Sequence, residues 1–325
     1  MRRRTALLAA GGVAAIAGAA QARRRLHPAS QPARPAAIPG GRETTVAASD
    51  GASLAVTEAG SGPLVVFAHG WTESQSIWTD VATDLCSTGY RVVAYDQRGH
   101  GGSTIGTAGI SIERLGQDLH DVLAAFGARD ATVVGHSMGG MTVMALLGAR
   151  PDLTTSEVGA AVLVSTAAAS LGRNPRIDAT VGRMIGSSVV TRAFGGPAGP
   201  RLVRGSLGRS PQRAHMAATA SLFAGTAGST RRDCFVAMSA MDLRAGLAAI
   251  DCPVTVVVGE RDRLTPPRQA REIAHLIKGA ELVIIPGAGH QLPFEAPGRL
   301  AALIRAAVTA GAGEELVGLQ SGSVA

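Results

Sequence analysis

The sequence predicts an α/β protein with a doubly wound, mostly parallel sheet of eight strands and an inserted helical cap. Three observations lead to this fold class. The body of the chain alternates short β-branched runs with helical patterns, which is typical of strands joined by helical crossovers. The later runs are continuously apolar, as expected of strands covered on both faces. No clear strand pattern occurs between about residues 168 and 247, although strands are predicted on both sides.

Eight runs are predicted to form the strands of this sheet. The first two flank Asp50-Gly51, a dipeptide typical of a hairpin turn. With 46% hydrophobic and 17% charged residues among 325, the chain has enough apolar material to fill a core around the others. The predicted strands are Thr44–Ser49, Ser53–Glu58, Leu64–Ala68, Arg91–Tyr95, Thr132–Val134, Ala160–Ser165, Val254–Val258 and Glu281–Ile285.

Helices are predicted between these strands from capping residues and apolar periodicity. Ser111 is a suitable N-cap for a helix whose apolar residues share one face and which ends at Gly127. Pro266-Pro267 opens a second helix, and a last helix starts near Pro297. The strands and helices divide the body into a core of residues 43–167 and 248–310 and a helical cap of residues 168–247.

The cap and the two ends of the chain complete the predicted organisation. An insertion at this point is expected to sit over the carboxyl ends of the strands, where ligands bind in such sheets. Residues 28–42 are rich in proline and alanine and are predicted to form a linker. Residues 311–325 are predicted to form a flexible tail.

The N-terminal segment, residues 1–27, has the composition of a targeting sequence. Arg2 to Arg4 are basic, residues 5–22 are uncharged and rich in alanine, and Arg23 to Arg25 follow. We interpret the segment either as a cleaved signal sequence or as a retained membrane anchor, with a mistaken start site as a third alternative. The protein is therefore expected to be exported or anchored in the cell membrane, with membrane association through residues 1–25.

The charge and cysteine patterns argue against two functional classes. Eight of the 31 basic residues and none of the 24 acidic residues lie in residues 1–42, so the net charge of +7 belongs to that segment and predicts no nucleic-acid groove. Cys86, Cys234 and Cys252 are far apart, which argues against a structural zinc site. One disulfide stays open for an exported protein. We predict no metal and no organic cofactor.

The pentapeptide Gly135-His136-Ser137-Met138-Gly139 matches the pattern G-x-S-x-G. The motif is weak alone, but a predicted strand precedes it and a buried helical pattern follows it. A strand–serine–helix turn exposes the serine at the edge of a sheet, and the glycines make room for the turn. The helix N-terminus behind the serine favours developing negative charge. Ser137 is therefore the predicted nucleophile.

The partners that such a serine needs occur at the ends of other predicted strands. His290 follows the last strand and is the predicted general base, and Asp262 follows the seventh strand and is predicted to orient it. The backbone N–H groups of Trp71 and Met138 are the predicted oxyanion hole. The order Ser137, Asp262, His290 is the order of a hydrolase triad on such a sheet.

Four other polar residues lie at or near predicted strand ends and are interpreted as structural. His69, His100 and His136 are placed in loops around the predicted site without the position that a general base requires. Asp96 also follows a strand, but the glycine-rich residues after it favour a role in stabilising a turn.

Successive motifs of the chain resemble those of the α/β-hydrolase superfamily, in the same order. The motifs are Phe67-Ala68-His69-Gly70-Trp71, Tyr95-Asp96-Gln97-Arg98-Gly99-His100-Gly101-Gly102-Ser103, Gly135-His136-Ser137-Met138-Gly139-Gly140, Gly259-Glu260-Arg261-Asp262 with Pro266, and Gly287-Ala288-Gly289-His290. The resemblance covers about residues 43–310. It implies the α/β-hydrolase fold and is greatest to bacterial esterases and monoacylglycerol-type lipases, with some similarity to cofactor-free haloperoxidases. Serine at 137 departs from haloalkane dehalogenases and epoxide hydrolases, which have aspartate there.

The expected activity is hydrolysis of carboxylic esters of hydrophobic small molecules through an acyl-enzyme. The alternatives are a haloperoxidase or perhydrolase that uses the same triad, a non-catalytic protein that binds a ligand or partner, and an envelope tether. Apolar residues of the cap indicate either a hydrophobic substrate or the cap's own core. They are Leu202, Val203, Leu207, Met216, Leu222, Phe223 and Phe235.

Overall fold

The computed structural model of the chain describes residues 38–170 and 175–312. Its strands are β1 (Arg42–Ala47), β2 (Ser53–Gly60), β3 (Leu64–Ala68), β4 (Arg91–Tyr95), β5 (Ala131–His136), β6 (Val158–Val164), β7 (Val254–Gly259) and β8 (Glu281–Ile285). They form one eight-stranded sheet in the order β1-β2-β4-β3-β5-β6-β7-β8. The predicted fold class is confirmed.

The direction of the strands brings the predicted site residues to one edge of the sheet. β2 pairs antiparallel with β1 and β4, and the remaining strands pair parallel from β4 to β8. Parallel strands end at the same edge, so the residues that follow them meet there. Trp71, Ser137, Asp262 and His290 follow β3, β5, β7 and β8 respectively.

All eight predicted strands are present, and they differ from the prediction by a few residues at their ends. β1 begins at Arg42 because its pairing with β2 starts there, opposite Glu58, and the two side chains also form an ion pair. The predicted linker of residues 28–42 therefore extends too far, since its last residue belongs to the sheet. Ile38, also within the predicted linker, is only 3% exposed and packs in an apolar cluster with sheet residues.

An α-helix follows each strand from β3 to β8. In chain order the helices of the described residues are α1 (Thr79–Ser87), α2 (Ile112–Ala125), α3 (Met138–Ala149), α4 (Pro175–Ile185), α5 (Ser188–Gly195), α6 (Gly199–Leu202), α7 (Arg213–Gly225), α8 (Gly228–Ala240), α9 (Arg244–Leu247), α10 (Pro267–Leu276), α11 (Leu292–Glu295) and α12 (Pro297–Gly311).

The two faces of the sheet are buried by different helices. Successive side chains of a strand point to opposite faces. In β3, Val65 and Phe67 pack in a cluster with α1 and α12, whereas Val66 and Ala68 pack in a cluster with α2, α3 and α10. Because both faces are apolar, each central strand reads as a continuous apolar run in the sequence.

The helices predicted from capping residues are present with small differences at their ends. The Ser111 hydroxyl accepts the backbone N–H of Arg114 at 3.1 Å and caps α2, which ends just before Gly127. α10 begins at Pro267 and α12 at Pro297. Because α12 continues to Gly311, the predicted tail of residues 311–325 starts inside a helix, and its residues 313–325 lie outside the described part of the chain.

Between β6 and β7 the described residues form helices α4 to α9, and their only β pairing is an isolated bridge between Ala169 and Asp242. We call the described residues of 168–247 the cap. The guanidinium of Arg231 is buried there and donates hydrogen bonds to the carbonyl oxygens of Ile185 and Thr226 at 3.1 and 2.6 Å. This side chain therefore joins three segments of the cap.

Three features relate to the predicted cellular location: the N-terminal segment, the lengths of the described helices and the state of the cysteines. Residues 1–27, interpreted as a signal or anchor, lie outside the described residues, as does most of the predicted linker. Within residues 38–170 and 175–312, no helix has the length and apolar character needed to cross a bilayer. Cys86, Cys234 and Cys252 are free thiols.

Candidate active site

Ser137 lies on a sharp turn between the end of β5 and the start of α3. Its φ of 52° and ψ of −113° place it in the left-handed half of backbone space, which a non-glycine residue rarely adopts. The turn is held by the Ser137 N–H, which donates to the Val164 carbonyl at 2.9 Å, and by the Thr166 hydroxyl, which donates to the Ser137 carbonyl at 2.7 Å. The geometry is that of the strand–serine–helix turn predicted from the sequence.

The glycines of the motif permit this turn. A Cβ on Gly135 would lie 2.3 Å from the carbonyl oxygen of Gly139, and a Cβ on Gly139 would lie 2.1 Å from that of Ala68. Both distances are far below a van der Waals contact, so any side chain at either position would force β3, β5 and α3 apart.

Asp262 and His290 are brought together as predicted. Nδ1 of His290 donates to Oδ2 of Asp262 at 2.8 Å, and both residues are at most 4% exposed. Oδ1 of Asp262 accepts the backbone N–H groups of Leu264 and Thr265 at 2.9 Å each, and the Thr265 hydroxyl donates to Oδ2 at 2.9 Å. The carboxylate thus accepts four hydrogen bonds, which fix its position, and it orients the imidazole.

These contacts set the charge of Asp262. Burial by itself raises the pKa of Asp262, but the neighbouring His290 and the hydrogen bonds from His290 and Thr265 outweigh it and lower the pKa below its usual value. Asp262 is therefore ionised at neutral pH, as a residue that stabilises a cationic imidazole must be.

His290 is joined to the serine turn through His136, the residue before Ser137. Nε2 of His136 donates to the carbonyl oxygen of His290 at 2.8 Å, and the centroids of the two rings are 4.9 Å apart. The candidate base, its carboxylate and the serine turn therefore form one connected unit at the edge of the sheet.

The predicted oxyanion donors lie on two turns at the same edge. In the turn after β3, the Gly70 N–H donates to Oε2 of Glu73 at 2.6 Å and the Thr72 N–H donates to Nε2 of His100 at 3.2 Å. Within the described part of the chain, the N–H groups of Trp71 and Met138 donate to no protein acceptor. Both remain available to a ligand oxygen, as an oxyanion hole requires.

Two neutral histidines shape the turn that carries Trp71. Nε2 of His69 accepts the Gln97 N–H at 2.9 Å, and burial lowers the pKa of His69 to about 4. Burial likewise lowers the pKa of His100 to about 3, so its Nε2 is free to accept the Thr72 N–H. Both histidines therefore act as fixed hydrogen-bond acceptors in the loops beside the site.

Asp96 joins two loops near the same edge. Its carboxylate accepts the backbone N–H of Gln75 at 2.8 Å and that of Gly102 at 2.9 Å. The side chain is buried, and it closes the glycine-rich turn after β4 onto the segment after β3. These contacts agree with the interpretation of Asp96 as a residue that stabilises a turn.

Glu73 and His136 form a buried ion pair under the site that the sequence did not reveal. Nδ1 of His136 lies 2.9 Å from Oε2 of Glu73, and Nε2 lies 2.8 Å from the His290 carbonyl. Both ring nitrogens face acceptors, so the ring must carry both protons to satisfy them. The only signal in the sequence was an acid three residues after Gly70, at the end of a strand that leads into the site.

The pKa shifts of this pair agree with its geometry. Burial disfavours the charged form of His136, but the Glu73 carboxylate and the His290 carbonyl together raise the pKa of His136 above its usual 6.5. Burial also opposes the charge of Glu73, yet His136 lowers the pKa of Glu73 to about 2. The pair is charged at neutral pH.

We expect Glu73→Gln to destabilise the protein by about 3–5 kcal/mol near pH 6, because it leaves a buried imidazolium without its counter-ion. The matched control is Glu157→Gln. The carboxylate of Glu157 lies 3.8 Å from Nε2 of the partly exposed His120, so its replacement is expected to change the free energy of unfolding by about 0.5 kcal/mol or less. Urea denaturation of the three proteins measures both effects.

The pH dependence of unfolding gives the same pair a second signature. Glu73 has a folded pKa below its usual 4.5, so its contribution is complete above about pH 4.5 and is lost as pH falls towards 2. His136 has a raised folded pKa, so its contribution is complete below 6.5 and is lost as pH rises through the folded value. The difference between wild type and Glu73→Gln should therefore shrink in both directions, and a difference that is constant from pH 3 to pH 9 would contradict the assignment.

The cap packs directly on the turn that carries the candidate oxyanion donor. Nε1 of Trp71 donates to the carbonyl oxygen of Arg231 at 3.2 Å, and the indole contacts the rings of Phe223 and Phe235 at centroid distances of 5.9 and 6.1 Å. Aromatic contacts of this kind fix both the cap and the indole. Trp71 therefore joins the core to the cap beside the candidate site.

Comparison with known proteins agrees with this fold. A family model described as the alpha/beta hydrolase family matches residues 65–303, which is well over half of the chain. The chain belongs to the alpha/beta hydrolase family, and the resemblance seen in the sequence motifs is confirmed.

Individual relatives are similar at low identity over most of their length. The chain is 28% identical over 258 residues to non-heme chloroperoxidase CPO-A1 of Kitasatospora aureofaciens, covering 74% of this chain and 90% of that protein. It is 27% identical over 243 residues to the bifunctional esterase/perhydrolase DCH of Acinetobacter calcoaceticus, covering 71% and 86%. The structure of esterase EaEST from Exiguobacterium antarcticum matches with a TM-score of 0.72 at 21% identity, over 82% of this chain and all of that one. At that identity the last likeness concerns the fold alone.

Proposed function

We propose that this hydrolase cleaves carboxylic esters of hydrophobic small molecules through an acyl-enzyme on Ser137. The observation that carries the proposal is the connected unit at the sheet edge. Ser137 lies at a positive φ on the turn between β5 and α3, and the buried Asp262–His290 pair is joined to that turn through His136. Similarity to an esterase/perhydrolase over 86% of its length supports the same class of substrate.

In the proposed mechanism His290 takes the hydroxyl proton of Ser137 as the oxygen attacks the ester carbonyl. The N–H groups of Trp71 and Met138 bind the oxyanion of the tetrahedral intermediate. The intermediate collapses as His290 gives its proton to the leaving alkoxide. Water then attacks the acyl-enzyme by the reverse sequence and releases the acid. Asp262 holds the tautomer of His290 and stabilises its cation throughout.

The preference for hydrophobic substrates is supported by the apolar surroundings of both oxyanion donors. Met138 and Trp71 belong to one cluster with residues of α2, α3 and the cap. Part of the cap's apolar surface forms its own core instead, since Val203 and Leu207 pack together within the cap.

A second candidate function is perhydrolysis, with hydrogen peroxide in place of water as the attacking group on the acyl-enzyme. The peroxide oxygen would bond to the acyl carbon and release Ser137 and a peracid. It is favoured by the similarity to a non-heme chloroperoxidase and to an esterase/perhydrolase, each matched over 86–90% of its length.

The proposal is tested with a panel of p-nitrophenyl esters of increasing acyl length and a fluorophosphonate probe. We expect serine-dependent hydrolysis that favours acyl chains longer than acetyl, and a phosphonyl adduct that mass spectrometry assigns to the peptide of Ser137. Preference for acetate would contradict the hydrophobic substrate, and absence of both turnover and labelling would favour a non-catalytic binding protein. Peracid formation from peroxide and a short carboxylate measures the second candidate activity.

We extend the proposal to location: the protein is exported or held at the cell membrane by residues 1–25. The support is the pattern of basic, uncharged and again basic residues in that segment. Fractionation of cells that express the full chain, with the mass of its N-terminal peptide, tests this. An intact N-terminus in the membrane fraction indicates an anchor, a mass that starts after Ala22 indicates a cleaved signal, and full-length protein in the cytosol contradicts both.

A further inference from the structure

The loop that carries His290 is held against the cap by backbone hydrogen bonds. The N–H of His290 itself donates to the carbonyl oxygen of Ser206 at 2.7 Å. In the opposite direction, the N–H of Arg209 donates to the carbonyl oxygen of Gly287 at 2.9 Å. The segment 206–209 of the cap and the segment 287–291 of the core thus run against each other.

Glycines allow these two segments to touch without side chains between them. A Cβ on Gly208 would lie 2.2 Å from the carbonyl oxygen of Gly287, and a Cβ on Gly289 would lie 2.4 Å from the carbonyl carbon of Leu207. Because backbone packs on backbone, a shift of the cap segment is passed to the histidine loop with no flexible side chain to absorb it.

One carboxylate spans this contact. Oε2 of Glu295 accepts the N–H of Gly208 in the cap at 2.7 Å and the N–H of Gly289 in the loop at 3.0 Å. Oε1 of Glu295 accepts the N–H of Gln291 at 3.0 Å. Through these three hydrogen bonds the side chain of Glu295 links the cap segment to the histidine loop, beside the two backbone hydrogen bonds between them.

The arrangement fixes the backbone on both sides of the candidate base. Glu295 holds the N–H before His290 and the N–H after it, and Ser206 holds the N–H of His290 itself. The carbonyl oxygen of His290 accepts from His136. The side chain of Glu295 accepts hydrogen bonds from both the cap and the neighbours of His290.

We propose that Glu295 is a positioning residue that sets the imidazole of His290 and couples it to the cap. This inference rests on the proposed role of His290 as the general base. If it holds, movement of residues 206–209 when the cap adjusts to a substrate changes the alignment of His290 with Ser137. The carboxylate of Glu295 accepts hydrogen bonds from backbone N–H groups and from none of the candidate catalytic side chains, so its effect on the reaction passes through His290.

The test compares Glu295→Gln with Glu260→Gln. Glutamine at 295 removes the charge and turns one of the two oxygens into a donor that faces an N–H. Glu260 is the matched control, because its Oε2 also accepts a loop N–H, that of Gly287 at 2.8 Å, without a hydrogen bond to the cap or to a neighbour of His290. Steady-state kinetics on a p-nitrophenyl ester and on the ethyl ester of the same acid separate positioning from folding.

We expect Glu295→Gln to lower kcat on the ethyl ester by about tenfold to a hundredfold, with a smaller change in KM. The loss should be smaller on the p-nitrophenyl ester, whose leaving group needs no proton from His290. A lower folded fraction would reduce both rates equally, so equal losses overturn the proposal. A loss no larger than that of Glu260→Gln also overturns it.

Two further measurements keep the test decisive. If Glu295→Gln does not fold, Glu295→Asp keeps the charge on a shorter side chain, and an unchanged ethyl-ester kcat in that variant overturns the proposal. The ¹H NMR signal of the His290 Nδ1 proton needs no turnover, so it tests positioning even if the wild type hydrolyses no ester. The signal should broaden or shift in Glu295→Gln and stay unchanged in Glu260→Gln, and an unchanged signal in both overturns the proposal.

Discussion

Replacement of Ser137 by alanine is expected to reduce kcat for ester hydrolysis by roughly 10⁶-fold while the protein stays folded. The hydroxyl is the proposed nucleophile that bonds covalently to the acyl carbon, so its loss removes the two-step pathway through Ser137. A residual rate on the order of 10³-fold above water is expected, because the oxyanion donors and the substrate-binding surface remain. Stopped assays with high enzyme concentration and loss of fluorophosphonate labelling measure the effect.

Ser165 provides a matched control for this substitution. It is a buried serine at the end of the neighbouring strand, with a left-handed φ of 47° close to the 52° of Ser137. Ser165→Ala therefore removes a hydroxyl from a residue of similar φ, and that hydroxyl makes no hydrogen bond to the turn between β5 and α3. We expect its rate to stay within a few-fold of wild type. Similar losses in both variants would show that strain rather than nucleophilicity accounts for the effect.

The sheet was predictable from the sequence because each of its signals is local. The central strands are apolar on both faces, and a run of β-branched residues such as Val254 to Val258 favours a strand that is covered on both faces. Capping residues such as Ser111 predicted where helices begin. The predicted limits are wrong at strand ends, because the pairing partner determines where a strand begins and ends. Arg42 belongs to β1 because it pairs with Glu58 of β2.

The edge of the sheet at which the candidate site residues lie was also predictable, because the topology places the ends of the parallel strands there. Parallel strands end at one edge, so the residues that follow β5, β7 and β8 lie along the same edge of the sheet, and the loops after β7 and β8 then carry Asp262 and His290 into contact. The hydrogen bond between His290 and Asp262 is the structural counterpart of that argument.

The supporting residues could not be predicted, because their roles depend on contacts between distant segments. Glu73 meets His136 across 63 residues and Glu295 meets Gly208 across 87. Neither acid lies in a recognisable motif with its partner. From the sequence alone, each acid would be predicted to be an ordinary surface residue. The cap's apolar side chains were ambiguous for a similar reason: Phe223 faces Trp71 while Val203 packs within the cap, and composition cannot separate the two.

We expect Asp262→Asn to lower kcat by about 10⁴-fold with little change in KM. The physical reason is the tautomer of His290. Asp262 accepts a hydrogen bond from Nδ1, which leaves Nε2 without a proton and able to take one from Ser137. The amide nitrogen of asparagine can donate instead, and the imidazole then carries its proton on Nε2, where it cannot act as a base.

Two comparisons separate this effect from loss of stability. Asp152→Asn is the matched control, since Asp152 is an aspartate paired with Arg150 on the surface, with 61% of its side chain exposed. It should behave as wild type in both rate and urea midpoint. Fluorophosphonate labelling of Asp262→Asn should be slow but still assigned to Ser137, because the nucleophile and the oxyanion donors are intact. Full-rate labelling with full-rate hydrolysis would mean that another acid orients His290, and Asp262 would then lose its place in the triad.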